Sequence, residues 1–358
     1  MEKFLIMSNK IVNLNGIEVG QGLPPYLIAE VSANHNGSFD NAKKLLKLAK
    51  ENGASAVKLQ TYKADTITLD SNKQDFRIDE GPWAGQTLYE LYDKAHTPWD
   101  WHEPLFSYAK EINITIFSSP FDETAVDLLE GLGTPFYKIA SFEAVDIPLI
   151  ECVASTRKPV IISTGMANKE EIGEAIEVLK QKGSGDIILL HCISAYPAPS
   201  EEYNLETLRD LSKSFDLPVG LSDHTVDNIA SIVSVSYGAC VIEKHFTLDK
   251  NAGGPDDFFS MEPSDLKCLS EDLDNTWKAI GKVNYGLSSS ESGNIKFRKS
   301  LYFIKDIKTG EKITKDHIKS VRPGYGLKPK HFNSLIGKEV VTDISAFSAV
   351  EKEQIKWS

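Results

Sequence analysis

An α/β chain folded as a (β/α)8 TIM barrel, followed by a small β-rich C-terminal domain, is what this sequence predicts. Three observations carry that expectation. Eight short apolar, β-branched runs alternate with helix-like segments, polar side chains gather at the C-terminal ends of those runs, and the pattern breaks after Tyr285. Near-continuous apolar runs suit strands buried on both faces. Strand–helix alternation with right-handed crossovers gives a parallel sheet, which eight units can close.

The runs start at Tyr26 (Y-L-I-A-E-V), Ala56 (A-V-K-L-Q-T-Y), Ile114 (I-T-I-F-S-S-P) and Phe136 (F-Y-K-I-A-S). They continue at Pro159 (P-V-I-I-S-T-G), Ile187 (I-I-L-L-H-C-I-S), Pro218 (P-V-G-L-S-D-H-T) and Cys240 (C-V-I-E-K-H-F-T). The clearest helix, N-A-K-K-L-L-K-L-A-K-E-N-G, follows Asp40 as candidate N-cap and stops at Gly53. Helices after Asp122, Asn168 and Asp227 start in the same way. A doubly wound open sheet is the alternative, but no G-x-G-x-x-G follows the first run. Between the second and third runs lies an insertion of roughly 50 residues, dense in Trp83, Tyr89, Tyr92, Trp99 and Trp101, readable as a lid or as a satellite core. The polar stretch L-S-S-S-E-S-G-N reads as a linker. The expected domains are therefore a barrel over 1–285, a linker over 286–297 and a compact β-rich tail over 298–358.

A net charge of −12 argues against non-specific binding to nucleic acid or an anionic membrane. An anionic substrate would need a local nest of Lys, Arg or metal charge. The cysteines Cys152, Cys192, Cys240 and Cys268 lack C-x-x-C spacing and read as free thiols in a reducing compartment. The N-terminus M-E-K-F-L-I-M-S-N-K has an apolar run of only four residues, too short for a signal-peptide core, and no stretch reaches 18 apolar residues. A cytoplasmic protein is the expectation.

His224 and His245 end the seventh and eighth runs, 21 positions apart. Alone, each reads more readily as a hydrogen-bonded wall residue than as a metal ligand. As neighbours on parallel strands about 4.8 Å apart, their imidazoles can share one cation. Other strand ends carry Glu30, Lys58 with Gln60, Ser118 and Ser119, Lys138 with Ser141, Ser163 and Thr164, Ser194 and Ser222. Active sites of such barrels lie at this face. Exposure of strand ends accounts for some of the serines, but less well for lysines flanked by apolar residues.

The motifs A-E-V-S-A-N-H-N-G-S, V-K-L-Q, K-I-A-S, I-S-T-G-M, L-S-D-H-T and E-K-H-F-T resemble, in order, those of the sialic acid synthase family. The resemblance covers nearly the whole chain, and the tail is similar to that family's SAF, or antifreeze-protein-like, domain. The insertion G-Q-T-L-Y-E-L-Y…T-P-W-D-W-H is most similar to the pseudaminic acid synthases within the family. The resemblance implies condensation of phosphoenolpyruvate (PEP) with 2,4-diacetamido-2,4,6-trideoxy-β-L-altropyranose, releasing phosphate. It implies a divalent cation, Mn²⁺ or Mg²⁺, on His224 and His245, with Glu30 handling the water that adds to the enolpyruvate. Lys58 and Lys138 would bind PEP together with Ser118 or Ser119, Ser141, Ser163 and Ser222. Gln60, Tyr196 and Asp256 would face the sugar. Arg298 would reach over from the partner in a domain-swapped homodimer. Ser194 departs from the asparagine of N-acetylneuraminate synthases, which implies a different pocket. The alternatives are an N-acetylneuraminate or legionaminate synthase, a Schiff-base aldolase acting through Lys138 or Lys244, and a non-catalytic sugar-binding protein.

Overall fold

The computed structural model describes residues 10–357, so the N-terminal apolar run falls outside the described residues. The chain divides into two compact units, one through Gly281 and one from Lys282. The first is a closed barrel of eight parallel strands: β3 (Tyr26–Glu30), β4 (Ala56–Thr61), β5 (Thr115–Pro120), β6 (Tyr137–Ile139), β7 (Val160–Ser163), β8 (Ile187–Cys192), β9 (Val219–Asp223) and β10 (Ala239–His245). β10 closes on β3 with His245 opposite Glu30. The eight sequence runs are these eight strands.

Side chains alternate across the wall with period two. Tyr26, Ile28, Ala56, Phe117, Phe136, Ile161, Ile188, Leu190 and Val241 point inward and form one buried cluster. Their neighbours, among them Leu27, Ala29, Val57, Leu59 and Ile242, pack outward against the helices. The inner cluster is sealed at the strands' N-terminal end by Val12, Leu14 and Val19. These belong to a hairpin of β1 (Ile11–Leu14) and β2 (Ile17–Gly20) absent from the sequence expectation. Its signal was Asn15-Gly16, both at positive φ in the two-residue turn such a dipeptide favours.

Caps fall close to the expected positions. The first helix, Phe39–Glu51, is capped by Ser38, whose hydroxyl accepts from the Asn41 amide, and Asp40 sits in its first turn instead. Asp122 and Asn168 cap their helices. Asn228 precedes the helix Ile229–Ser236, while the Asp227 carboxylate accepts from the Ile229 amide. The insertion divides in two. Trp99–Glu111 is the barrel's own second helix, with Trp101 packed edge-on to Phe39 and His35. The preceding segment, with helices Ala64–Ile67 and Leu88–Ala95, lies over the strand ends.

In the second unit, β11 (Ser300–Phe303) pairs antiparallel with β12 (Ile318–Val321). Isolated bridges and a core of Leu301, Phe303, Ile307, Ile313, Ile318, Leu335, Val340, Ile344, Val350 and Ile355 complete it. Within the stretch read as a linker, 3₁₀ turns run over Ser289–Phe297, started by reciprocal capping between Ser288 and Glu291.

Candidate active site

The inward register that buries Ala56, Phe136 and Val241 sends Lys58, Lys138 and Glu243 into the same lumen, one step nearer the C-terminal end. Glu243 is the hub. Its Oε1 lies 2.9 Å from Lys58 Nζ and 3.4 Å from Lys138 Nζ, and Ser222 Oγ donates to it at 3.4 Å. Lys58 also faces Glu30 Oε2 at 3.5 Å and Ser119 Oγ at 3.4 Å, while Gln60 Nε2 donates to Glu30 Oε1 at 2.8 Å. All four charged groups are buried. Burial raises the Glu30 carboxyl to about 7 despite Lys58. Burial works against Glu243 ionisation, yet Lys138 and Lys58 keep its carboxyl near 2. Burial lowers Lys138; it acts the same way on Lys58, but Glu243 and Glu30 outweigh it and raise that group.

Glu243 was missed in the sequence, although the two-residue step from His245 puts it on the same face. The same step disposes of Lys244 as a Schiff-base candidate. It points outward, donating to Asp223 Oδ2 at 3.0 Å and to the Thr225 carbonyl at 2.6 Å. Of the two adjacent serines, Ser119 faces Lys58. Ser118 turns outward, sharing a 2.6 Å hydrogen bond with Thr61, whose hydroxyl meets His102 Nε2 at 2.8 Å.

The histidines stand with ring centroids 5.4 Å apart. His224 Nδ1 donates to the Ile193 carbonyl at 2.8 Å, so Nε2 is the ring nitrogen that could ligate a cation. Burial would depress His224, but Cys192, 3.8 Å from Nδ1, outweighs it and raises the imidazole. His245 is buried, its Nδ1 has no hydrogen-bond partner among the described residues, and Asp256 Oδ2 is 3.9 Å away. Burial and neighbouring positive groups hold His245 well below the usual imidazole range, in the neutral form that ligates metal. Among the described residues no three His, Cys, Asp or Glu side chains gather as metal ligands.

Local folding places these groups. Asn34 in the loop after β3 donates to the Phe246 carbonyl at 3.0 Å and to Ser260 Oγ at 2.9 Å. Asn36 and the Gly254 amide donate to Asp257, while Ser32 hydrogen-bonds the neighbouring Asp256. Burial raises the Asp256 carboxyl. Tyr196 stacks 4.4 Å from His224, and Trp83 of the insertion lies 5.9 Å from Tyr196 with its indole N–H on the Pro255 carbonyl. Gly165, after β7, lies so close to Ser141 and Ser194 that an added Cβ would collide with both hydroxyls. Ser163 Oγ is buried and unpartnered among the described residues. So is Glu143 Oε2, whose carboxyl burial raises to about 7 and which the sequence reading also passed over. Arg298 lies in the second unit, where it ends the 3₁₀ turns with its amide on the Ile295 carbonyl.

Residues 45–285 match the model of the NeuB family, and residues 298–354 match the SAF domain. The chain is 41% identical over 336 residues to the pseudaminic acid synthase of Helicobacter pylori, covering 94% of this chain and 99% of that one. It is 40% identical over 316 residues to the N,N'-diacetyllegionaminic acid synthase of Campylobacter jejuni, covering 87% and 94% respectively. Among solved structures, the N-acetylneuraminic acid synthetase of Leptospira borgpetersenii aligns with a TM-score of 0.72 at 30% identity, covering 82% of this chain and 97% of that one.

Proposed function

Because this chain belongs to the NeuB family and ends in a SAF domain, we propose that it is a pseudaminic acid synthase. It joins phosphoenolpyruvate to 2,4-diacetamido-2,4,6-trideoxy-β-L-altropyranose with water, giving pseudaminic acid and phosphate. The carrying observation is the Lys58–Glu243–Lys138 cluster beside the His224–His245 pair in one barrel mouth. It supports a reading in which a phosphate and a carboxylate bind next to a cation.

In this reading PEP lies against Lys58 and Lys138, with Ser119, Ser141, Ser163 and Ser222 donating to its oxygens. C3 of the enolpyruvate attacks the sugar aldehyde, positive charge develops at C2, water adds there, and phosphate leaves by C–O cleavage. A divalent cation, Mn²⁺ or Mg²⁺, on His224 and His245 would supply Lewis acidity toward the aldehyde oxygen. Glu30, titrating near 7 and fixed by Gln60, takes the proton of the adding water and stabilises the positive centre. Gln60, Ser194, Tyr196 and Asp256 meet the sugar.

A homodimer in which a partner's SAF domain covers this mouth fits two features. Phe142, Met166, Val226 and Phe258, on loops that follow barrel strands, are exposed apolar residues. Residues 282–358 carry 15 Lys and Arg against 8 Asp and Glu, whereas 1–281 carry 24 against 43. Units of such opposite charge attract. Among the described residues no helix is long and apolar enough to cross a membrane, and a cytoplasmic location is the reading adopted.

The test is incubation with PEP and a panel of N-acylated sugars, with and without EDTA, read by phosphate release and product mass. A nine-carbon keto acid formed from the altro sugar, and lost with EDTA, supports the reading. Turnover that survives EDTA refutes the metal role, and turnover confined to another sugar refutes the substrate. Mixing an Arg298→Ala chain with a Lys58→Ala chain should restore activity in mixed dimers. No recovery after confirmed subunit exchange refutes the swapped arrangement.

A further inference from the structure

A cavity of about 470 Å³ lies beside His245, with the barrel on one side and the insertion on the other. The barrel contributes polar Gln60, Glu143, Asp256 and His245 together with aromatic residues such as Tyr62 and Tyr196. The insertion contributes Ile67, Ile78, Leu88 and Leu91. Leu88 and Leu91 are three residues apart on the helix Leu88–Ala95, hence on one face, and Thr87 and Glu90 cap that helix reciprocally. Ile78 is fixed by a small hairpin, its amide donating to the Gln86 carbonyl at 3.0 Å and its carbonyl accepting from Gly85 at 2.9 Å. Trp83 lines the same side, but its indole N–H is committed to Pro255. The wall is therefore built, aliphatic, and short of free hydrogen-bonding groups apart from Tyr92.

We infer that this aliphatic wall is the specificity element of the site, seating the deoxygenated methyl end of the sugar and rejecting a hydroxymethyl end. The inference rests on the proposed substrate. A hydroxyl pressed against four aliphatic side chains loses water without gaining a partner, whereas a methyl group gains contacts there. An apolar pocket discriminates at this level by roughly 10- to 100-fold.

The experiment compares kcat/KM for the trideoxy diacetamido sugar with that for its 6-hydroxy analogue, in wild type, Leu91→Asn and the milder Leu88→Gln. Each variant should lower the preference for the deoxy sugar by about tenfold or more, chiefly by gaining on the hydroxylated analogue. If Leu91→Asn does not fold, Leu88→Gln, on a half-buried residue, decides the matter alone. An equal loss on both sugars in a folded variant marks a merely structural wall and overturns the inference. Wild type inactive on the deoxy sugar but active on another overturns the substrate reading, and the inference with it.

Discussion

Replacing Glu243 with glutamine keeps the side chain's shape and deletes the charge that two buried lysines share. At 2.9 and 3.4 Å, and an effective dielectric near 20, each attraction amounts to about 5–6 kcal/mol before desolvation and Lys–Lys repulsion are counted. Removing one partner of a buried ion pair costs about 3–5 kcal/mol, because the charge left behind is uncompensated. Glu30 still faces Lys58 at 3.5 Å, so the low end applies, about 3 kcal/mol. For a unit of this size that corresponds to a melting point lower by roughly 6–12 °C at pH 7. The Glu243 carboxyl is held near 2, below its ordinary value, so its stabilisation is full above about pH 4.5 and fades as pH falls toward 2. The gap between wild type and variant should close in acid accordingly. Thermal melts with added PEP test the same lysines from the other side. An anion that takes over from the missing carboxylate raises the variant's melting point more than the wild type's. A variant that melts within 2 °C of wild type at pH 7, or gains less from PEP, would refute the reasoning.

Glu30→Gln should lower kcat by about 10²- to 10⁴-fold and remove from the kcat/KM profile an ascending limb near pH 7. A surviving limb would assign it to another group. The Glu30 carboxyl is raised in the fold, so stability tied to its neutral form is full below its unfolded value and lost as pH rises through 7. His224→Ala and His245→Ala should each abolish EDTA-sensitive turnover and leave the melting curve near wild type; full activity in both would end the metal reading. Lys244→Met strands the buried Asp223 carboxylate and should cost about 3–5 kcal/mol of stability, with the folded fraction still active. Borohydride with pyruvate should trap no adduct on wild type, and a trapped lysine would revive the Schiff-base alternative.

The barrel was legible because its signal is periodic and local. Eight apolar runs and their capping residues specify eight strand–helix units, and Asp122 and Asn168 could be read directly. The candidate site was legible where chemistry stands out from an apolar background, as with Lys58, Lys138 and the two histidines. Glu243 escaped because a carboxylate beside a lysine, as in E-K-H, looks like an ordinary surface pair until the strand register separates them to opposite faces. Ser118 and Ser119 could not be told apart, since the choice hangs on one step of the same register. The insertion was ambiguous for another reason. Its aromatics serve two layers, Trp101 in the helix shell and Trp83 at the mouth, and tryptophan content alone does not distinguish them. The Asn15-Gly16 hairpin was readable but short, and its docking depends on a surface that exists only when the strands have closed.

That hairpin bears on the order of folding. It precedes every barrel strand in the chain, yet the side chains that receive Val12, Leu14 and Val19 come from strands as far apart as β3 and β10. A two-stranded ribbon is marginal by itself in water. It therefore acquires its stability only after the last strand has joined the first, and seals the floor of the finished barrel as a late step. Amide exchange should register this as protection that appears in Val12 and Val19 after it appears in β4 and β5.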